Sequence, residues 1–363
     1  MTQAESTDPT SPEGWANRWA PTTATKPPVR TIDVHTHLLV PESAEMTRPY
    51  YDPKMDPRTF FSSERSKGLN QRFYAEVAAK FTDPEARILD MDALGIDIQV
   101  IGLSPFHYFY WADEHLSPRV ASLQNETIAD TVATDPTRFV GLGTLPMAHP
   151  EAACAEAERV SKVYGFPGVE IGADVNGLDL DDEMFEPLWE TLAGLGLAIV
   201  LHPAGFTHGQ RMSDYYLVNV IGMPLSSTLT VTRMILGGVF ERHPDLKMLV
   251  VHGGGYLPFY AARTDHAFKH RPELRDHIDR PPSEYLNRLY YDITVFDPAL
   301  LWQLIDTYGA DHVLLGTDYP FDMGLPDPLG FVEDASLSDT DRDLVVGGSA
   351  ARLFGIDDRQ AGK

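Results

Sequence analysis

The stretch that decides the fold is residues 31–37, Thr31-Ile32-Asp33-Val34-His35-Thr36-His37. Its apolar start predicts a buried strand, and the polar, proline-containing residues after it predict a loop. Side chains two residues apart on an extended segment point to the same face, and imidazole is a good ligand for transition metals. The pair predicts part of a metal site at a strand end, although a chain with 13 histidines contains such pairs by chance.

Seven further apolar runs follow the first one along the chain. The eight predicted strands cover residues 31–34, 98–103, 139–145, 168–171, 198–201, 247–251, 289–293 and 313–315. Helical patterns lie between most of them, at 84–94, 118–134, 150–164, 182–195, 226–242, 298–308 and 339–354. Alternation of this kind predicts an α/β protein with a parallel sheet, and eight units predict a closed (β/α)8 TIM barrel.

A doubly wound sheet is the competing architecture. No Gly-x-Gly-x-x-Gly follows the first strand, and the run Gly253-Gly254-Gly255 lacks the Lys-Ser/Thr of a phosphate loop. These two observations favour the barrel.

The domain organisation is read from composition. Residues 1–29 are rich in proline, threonine, serine and alanine, which predicts a flexible arm, with Trp15 and Trp19 able to hold part of it against a surface. Residues 30–363 are predicted to form the barrel. Within it, 38–83 is a long insertion after strand one, which we expect to cap the barrel mouth.

Composition limits the partners. The formal charge of −24 disfavours nucleic acid and anionic membranes. The single cysteine, Cys154, can form no internal disulfide. No long apolar run or apolar signal segment is present. We therefore expect a cytoplasmic protein with a small-molecule substrate.

The residues that follow the predicted strands carry the chemistry. His35 and His37 follow strand one, His202 strand five, His252 strand six and Asp318 strand eight. In (β/α)8 enzymes the active site lies at the carboxyl ends of the strands. A histidine after one strand is usually a core residue, but the joint pattern predicts a shared site.

These motifs resemble the amidohydrolase superfamily, and within it the aminocarboxymuconate-semialdehyde decarboxylase family, also called the amidohydrolase-2 group. The resemblance runs from about residue 31 to about 355. It is carried by the stretches 33–37 (Asp-Val-His-Thr-His), 138–146, 168–172, 237–242, 252–255 (His-Gly-Gly-Gly) and 315–321 (Leu-Gly-Thr-Asp-Tyr-Pro-Phe).

The resemblance implies roles for individual residues. One divalent metal, zinc first and manganese as the alternative, would be held by His35, His37, His202 and Asp318. His252 would be the catalytic acid/base beside it, and either His252 or Asp318 could protonate the substrate carbon.

The resemblance also implies a homodimer. Arg263 would reach a neighbouring subunit's site and bind a substrate carboxylate, because a guanidinium pairs with a carboxylate through two hydrogen bonds. A surface or dimer salt bridge is the alternative role for Arg263.

The metal number follows from strand four. Binuclear relatives carry a carboxylated lysine at its end, whereas here Lys162 lies in the preceding helix. Glu170 lies within the strand, and we expect a buried structural role for it. The sequence therefore predicts a mononuclear site.

The implied reaction is non-oxidative decarboxylation of an aromatic or unsaturated, ring-derived carboxylate, without an organic cofactor. The same residues would support a hydrolase of amides, esters, lactones or C–C bonds, or a hydratase. A metal-stabilised binding protein is disfavoured because His252 is a further histidine beyond the four residues that would hold the metal.

The substrate is less well defined than the reaction. Aromatic residues after strands two and five suit a flat substrate, although lid packing is the alternative for each: Phe106, His107, Tyr108, Trp111, Tyr215 and Tyr216. Where decarboxylases of the family that this chain resembles have Pro-Trp-Asp-Met after the strand-five histidine, this chain has Pro203-Ala204-Gly205-Phe206. Their substrate-binding arginine after strand one has no clear counterpart, with Arg65 and Arg72 nearby. We therefore expect a substrate other than aminocarboxymuconate semialdehyde.

Overall fold

Eight parallel strands form the centre of the molecule. The computed structural model describes residues 14, 15 and 18–356. The strands, in chain order, are β1 (Ile32–Leu38), β2 (Ile98–Leu103), β3 (Phe139–Gly143), β4 (Gly168–Ile171), β5 (Ala198–Leu201), β6 (Lys247–Val250), β7 (Tyr290–Asp292) and β8 (Val313–Leu314). Each pairs in parallel with the next.

The chain after β8 closes the barrel onto β1. The backbone N–H of Val34 donates to the carbonyl of Leu315 at 3.0 Å, and that of Asp318 donates to the carbonyl of His35 at 2.8 Å. The predicted TIM barrel is therefore confirmed. Strand β1 is longer than predicted and contains both His35 and His37, because its pairing with β2 continues to Leu38.

Helices surround the sheet. The longer ones are Glu64–Glu76, Pro84–Leu94, Ser117–Thr134, Pro150–Arg159, Glu186–Leu195, Met223–Leu236, Leu257–His270 and Pro298–Tyr308. Shorter ones are Pro41–Thr47, Pro57–Phe61, Ala78–Thr82, Val239–Arg242, Pro282–Leu286, Pro328–Asp334, Asp339–Asp343 and Ser349–Phe354. The helix predicted over 226–242 is divided at Gly238, whose φ of +77° interrupts it.

Asp-Pro dipeptides begin several of these helices. Asp83, Asp297 and Asp327 each accept a hydrogen bond from a backbone N–H of the first helical turn, and proline occupies the first helical position. The aspartate satisfies a donor that the helix leaves free, and proline has no N–H to lose there. The helices after Asp83 and Asp297 begin at the predicted residues, 84 and 298, whereas the helix Pro328–Asp334 was not predicted.

Apolar side chains fill the barrel below the mouth. Val100, Val200 and Leu249 belong to one buried cluster, which also includes Phe354 of the last helix. Because strand side chains alternate, His202, two residues after Val200, faces the same side. The apolar interior thus changes to imidazole at the carboxyl ends of the strands.

The segment before β1 packs onto the barrel where the structure describes it. Trp15 and Trp19 are buried. The predicted flexible arm falls partly on residues 1–13, 16 and 17, which lie outside the described residues. Within the described part of the chain, no helix is long and apolar enough to cross a bilayer.

Candidate metal centre and active site

Four histidines and one aspartate meet at the barrel mouth. Asp318 Oδ1 lies 3.0 Å from His37 Nε2 and 3.3 Å from His35 Nε2. The His202 ring lies 4.7 Å from that of His37 and 5.1 Å from that of His252, between centroids. The strand-end residues chosen from the sequence are thus brought together from four strands.

The tightest group differs in one member from the predicted ligand set. Candidate ligand atoms of His35, His202, His252 and Asp318 all lie within 4.8 Å of one another. His37, predicted as a ligand, lies 3.0 Å from Asp318 Oδ1 but outside this group. His252, predicted as the acid/base, lies inside it. All five residues are therefore close enough to one another to act in one site.

Backbone strain at two residues aims their side chains. His252 and Asp318 have φ values of +57° and +63°, a conformation that costs a non-glycine residue about 1 kcal/mol or more. The glycine run after His252 allows a tight turn there, since a Cβ on Gly255 would lie 2.4 Å from the carbonyl oxygen of Pro224. Both residues therefore lie in turns that follow their strands, and not in regular strand backbone.

The free imidazole nitrogens fit a transition metal. His35 uses Nδ1 on Asp292 at 2.7 Å, and His202 uses Nδ1 on the carbonyl of Pro203 at 2.8 Å. Among the described residues, the buried Nε2 atoms of His35 and His202 have no hydrogen-bond partner. Polar atoms are rarely buried without a partner, and a second nitrogen held by an acceptor is usual for a metal-ligating histidine.

Burial and neighbouring charge act in opposite directions on this cluster. Burial lowers the pKa of His37 to about 4, and it lowers the pKa of His202 well below the ordinary range. Both are therefore neutral, the form that binds metal. Burial would raise the pKa of Asp318, but the surrounding imidazoles of His35, His252 and His37 outweigh it and hold that pKa well below the ordinary range.

Asp292 is a site residue that the sequence analysis missed. It is the last residue of β7 and is fully buried. One carboxylate oxygen accepts from His35, and the other accepts from the backbone of Gly253 at 2.7 Å and the hydroxyl of Thr294 at 2.8 Å. The sequence predicts a strand that runs on to residue 293, so Asp292 falls inside the predicted strand and not at its end.

Glu170 is buried in β4 behind the site. Its carboxyl accepts a hydrogen bond from the Tyr108 hydroxyl at 2.7 Å, and burial raises its pKa to about 8. The oxygen Oε2 packs against Gly102, where any Cβ would lie 1.8 Å away. These contacts agree with the expected structural role.

The arginines near the mouth differ in their surroundings. Arg263 lies exposed on helix Leu257–His270, and no hydrogen bond or ion pair joins it to the described residues. Arg65 and Arg72 are also exposed. Arg58, which the sequence analysis did not single out, stacks over the Phe106 ring and donates to the Tyr74 hydroxyl at 3.0 Å.

A cavity of about 430 Å³ is lined by residues that follow β2 and β5, including Ala204 two positions after His202, and by none of the five cluster residues. Phe106, Tyr108 and Trp111 line it, together with Pro57 and Gly205. The remaining aromatic candidates do not line this cavity. Tyr215 is 90% exposed, the ring of His107 accepts a hydrogen bond from the backbone of Val40 in the core, and the Tyr216 hydroxyl lies 3.5 Å from the Asp322 carboxylate. The cavity size is that of sites for small organic molecules.

Eight parallel strands with a histidine–aspartate cluster at their carboxyl ends define the class of metal-dependent (β/α)8 enzymes. The chain belongs to the amidohydrolase family, whose model matches residues 32–356. A 2-amino-3-carboxymuconate-6-semialdehyde decarboxylase from Dictyostelium discoideum is 35% identical to it, over 90% of this chain and 92% of that protein.

Two further relatives are also decarboxylases. A gamma-resorcylate decarboxylase from Polaromonas sp. is 30% identical over 77% of this chain and 90% of that protein. The solved structure of 5-carboxyvanillate decarboxylase from Sphingomonas paucimobilis superimposes with a TM-score of 0.81 at 26% identity, covering 91% of this chain and all of that one. The predicted family and the predicted enzyme class, a carboxy-lyase, are confirmed.

Proposed function

We propose that this protein is a metal-dependent, non-oxidative decarboxylase of a small aromatic or unsaturated ring-derived carboxylate. The observation that carries the proposal is the pair of buried, unpartnered Nε2 atoms of His35 and His202 facing Asp318 at the barrel mouth. The decarboxylases among its relatives support the reaction type.

The metal would be held by His35, His37, His202 and Asp318. When bound there, a divalent ion supplies Lewis-acid stabilisation of negative charge on a substrate oxygen. Imidazole and carboxylate donors suit zinc and also manganese; we propose zinc first. Elemental analysis of the purified protein, followed by reconstitution with each ion separately, tests the choice.

His252 is proposed as the acid/base. Decarboxylation breaks the bond between the ring carbon and the carboxylate, leaves an electron pair on that carbon, and requires one proton there as CO2 departs. The His252 side chain is 18% exposed and that of Asp318 is 8% exposed, so His252 is the more accessible of the two. Its Nε2 lies 3.9 Å from Asp318 Oδ2, which makes Asp318 the group with which it would exchange a proton.

The cavity and Arg58 supply the proposed substrate site. Phe106 and Trp111 offer flat apolar surface, and the Arg58 guanidinium, lying on Phe106, offers a positive charge. The Arg58 Nε is buried without a hydrogen-bond partner among the described residues. A carboxylate or another electron-rich substituent of the substrate would satisfy this donor.

The activity is tested by CO2 release from a panel of hydroxybenzoates and muconates, alongside ester, lactone and hydratase substrates. We expect CO2 from at least one carboxylate of the panel. Hydrolysis or hydration without CO2 release would contradict the proposal and favour the alternative reactions.

Paired variants test the role of His252. We expect His252→Ala to lose CO2 release while keeping the metal, and His202→Ala to lose both. Unchanged turnover in His252→Ala would remove it from the mechanism, and loss of the metal would make it a ligand.

We further propose that the protein is a cytoplasmic homodimer in which Arg263 completes the partner's substrate site. Tyr256, just before the helix that carries Arg263, and Tyr260, within it, are both exposed. A dimer that dissociates on dilution with loss of turnover, and Arg263→Ala with a raised KM, are expected. A fully active monomer would contradict the shared site. The cytoplasmic location is supported by the single cysteine, because proteins of the reducing cytoplasm rarely depend on disulfides; cell fractionation tests it.

A further inference from the structure

The segment before β1 reaches the loop that carries Asp318. The Arg18 guanidinium donates to two backbone carbonyls of that loop, those of Asp322 and Gly324, the second at 2.8 Å. The Trp19 ring packs against that of Tyr319 with centroids 4.9 Å apart. The loop and the segment are about 300 residues apart in sequence, so no local preference produces these contacts.

The same loop is fixed on its other side by β1. The backbone N–H of His37 donates to the carbonyl of Tyr319 at 2.8 Å, and Thr317 is hydrogen-bonded to the Asp33 carboxylate at 2.6 Å. Between these two supports the loop holds Asp318 at its positive φ. A strained residue of this kind persists only where its surroundings determine the conformation.

Packing also joins the segment before β1 to this loop. A Cβ on Gly324 would lie 2.7 Å from the Trp19 ring, so the loop and the segment are in direct contact. Trp15 joins the buried cluster of Phe73, Phe81 and Phe321, and Phe321 lies against His37 with centroids 5.0 Å apart. The segment therefore supports both the aspartate and one of the histidines from outside.

Charge adds to this contact. Burial lowers the pKa of Arg18, and the nearby carboxylates of Asp322 and Asp318 oppose that shift. Within the described residues, Arg18 forms no ion pair within 4.0 Å with either carboxylate, so its direct contacts in the loop are the two carbonyls.

We propose that Arg18 is a positioning residue of the metal centre, and that residues 18–22 with Trp15 are part of the active-site structure. The guanidinium clamps the Asp318–Gly324 loop through Asp322 and Gly324, which holds the Asp318 carboxylate where the metal binds. The proposal rests on the proposed metal site, but not on the identity of the substrate.

The test measures metal binding directly. The dissociation constant of zinc or manganese is determined by competition with a chelator for the parent, Arg18→Met and Arg18→Lys. Loss of a group that orients a metal ligand typically weakens metal binding about 10- to 100-fold. We expect Arg18→Met to raise the dissociation constant by about tenfold, and Arg18→Lys to raise it too, because an ammonium lacks the planar fork that reaches both carbonyls.

Lys26→Met is the matched control. It removes a cation from the same segment, but Lys26 pairs with Asp97 before β2, at the opposite end of the barrel. Metal binding like that of the parent is expected for it.

Parent-like metal binding in both Arg18 variants would overturn the proposal, as would equal weakening in Lys26→Met. If Arg18→Met does not fold, Arg18→Lys decides the question alone. Failure of the proposed function is seen separately, as a parent protein that binds metal and releases no CO2, or that binds no metal.

Discussion

The Asp292 carboxylate lies 2.7 Å from His35 Nδ1, and both side chains are completely buried. The carboxylate accepts the Nδ1 proton and so leaves Nε2 as the nitrogen that faces Asp318. Burial would raise the pKa of Asp292, but the hydrogen bond with His35 outweighs it, and the pKa lies below its ordinary value. A residue outside the ligand set thus fixes which nitrogen of His35 can bind a metal.

The first prediction concerns this pair. Asp292→Asn keeps the shape but replaces the charged acceptor, and the amide can turn its NH2 toward His35 and disfavour the required tautomer. We expect metal affinity to fall about 10- to 100-fold, measured by chelator competition. Asp297→Asn, which alters a helix cap on the same βα unit, should bind metal like the parent. Parent-like affinity in Asp292→Asn would show that the pair does not orient His35.

The second prediction concerns Glu170, whose pKa burial raises to about 8. Below that pH the native carboxyl is protonated, whereas an unfolded glutamate ionises near pH 4.5. The unfolded state therefore binds fewer protons between these values, and this residue's contribution to stability falls as the pH rises from about 5 to about 8.

Glu170→Gln mimics the protonated form and still accepts from Tyr108. Its Tm relative to the parent should therefore increase steadily from pH 5 to pH 8.5. Subtracting the Tm of the parent cancels the effect of the other titrating groups on Tm, including that of the buried Asp33. A Tm difference that is independent of pH, or that decreases, would show that Glu170 is ionised in the native protein.

The third prediction concerns removal of the metal. Because the proposed ligands come from distant strands, the ion binds only the folded chain and stabilises it by mass action. At a free metal concentration about 100 times the dissociation constant, we expect a Tm roughly 5 °C above that of the chelator-treated protein. Thermal unfolding measures this, and magnesium, which binds imidazole poorly, serves as the control. Equal Tm values with zinc, manganese and chelator would argue against a metal in this cluster.

The fourth prediction concerns Arg58. Arg58→Met retains apolar contact with Phe106 and removes the charge. A charge-assisted hydrogen bond contributes about 1.5–3 kcal/mol, so KM for a carboxylate substrate should rise roughly tenfold or more, with a smaller change in kcat. The exposed Arg65 and Arg72 of the same insertion provide controls, and their methionine variants should keep the parent KM. An unchanged KM in Arg58→Met would place the substrate carboxylate elsewhere.

The sequence predicted the barrel because its signals are local. A strand such as Ala198–Leu201 is apolar and β-branched, and a helix such as Pro298–Tyr308 begins with an Asp-Pro pair whose side chain caps its own first turn. His202 and Asp318 were found for a related reason: strand ends can be recognised along the chain, and the barrel brings all such ends to one mouth.

What the sequence could not supply are contacts between distant segments. Asp292 can be told from other buried strand residues only by its contact with His35, which lies 257 positions away in sequence. Arg58 can be told from Arg65 only by the Phe106 ring that the fold places against it. Local sequence determines which elements form, because backbone preference and hydrophobic period act over a few residues. Tertiary structure alone decides which nitrogen of His35 is free, which arginine stacks on the aromatic ring of Phe106, and that Arg18 contacts the Asp318 loop. Burial and hydrogen bonding depend on what the folded chain places within a few ångströms.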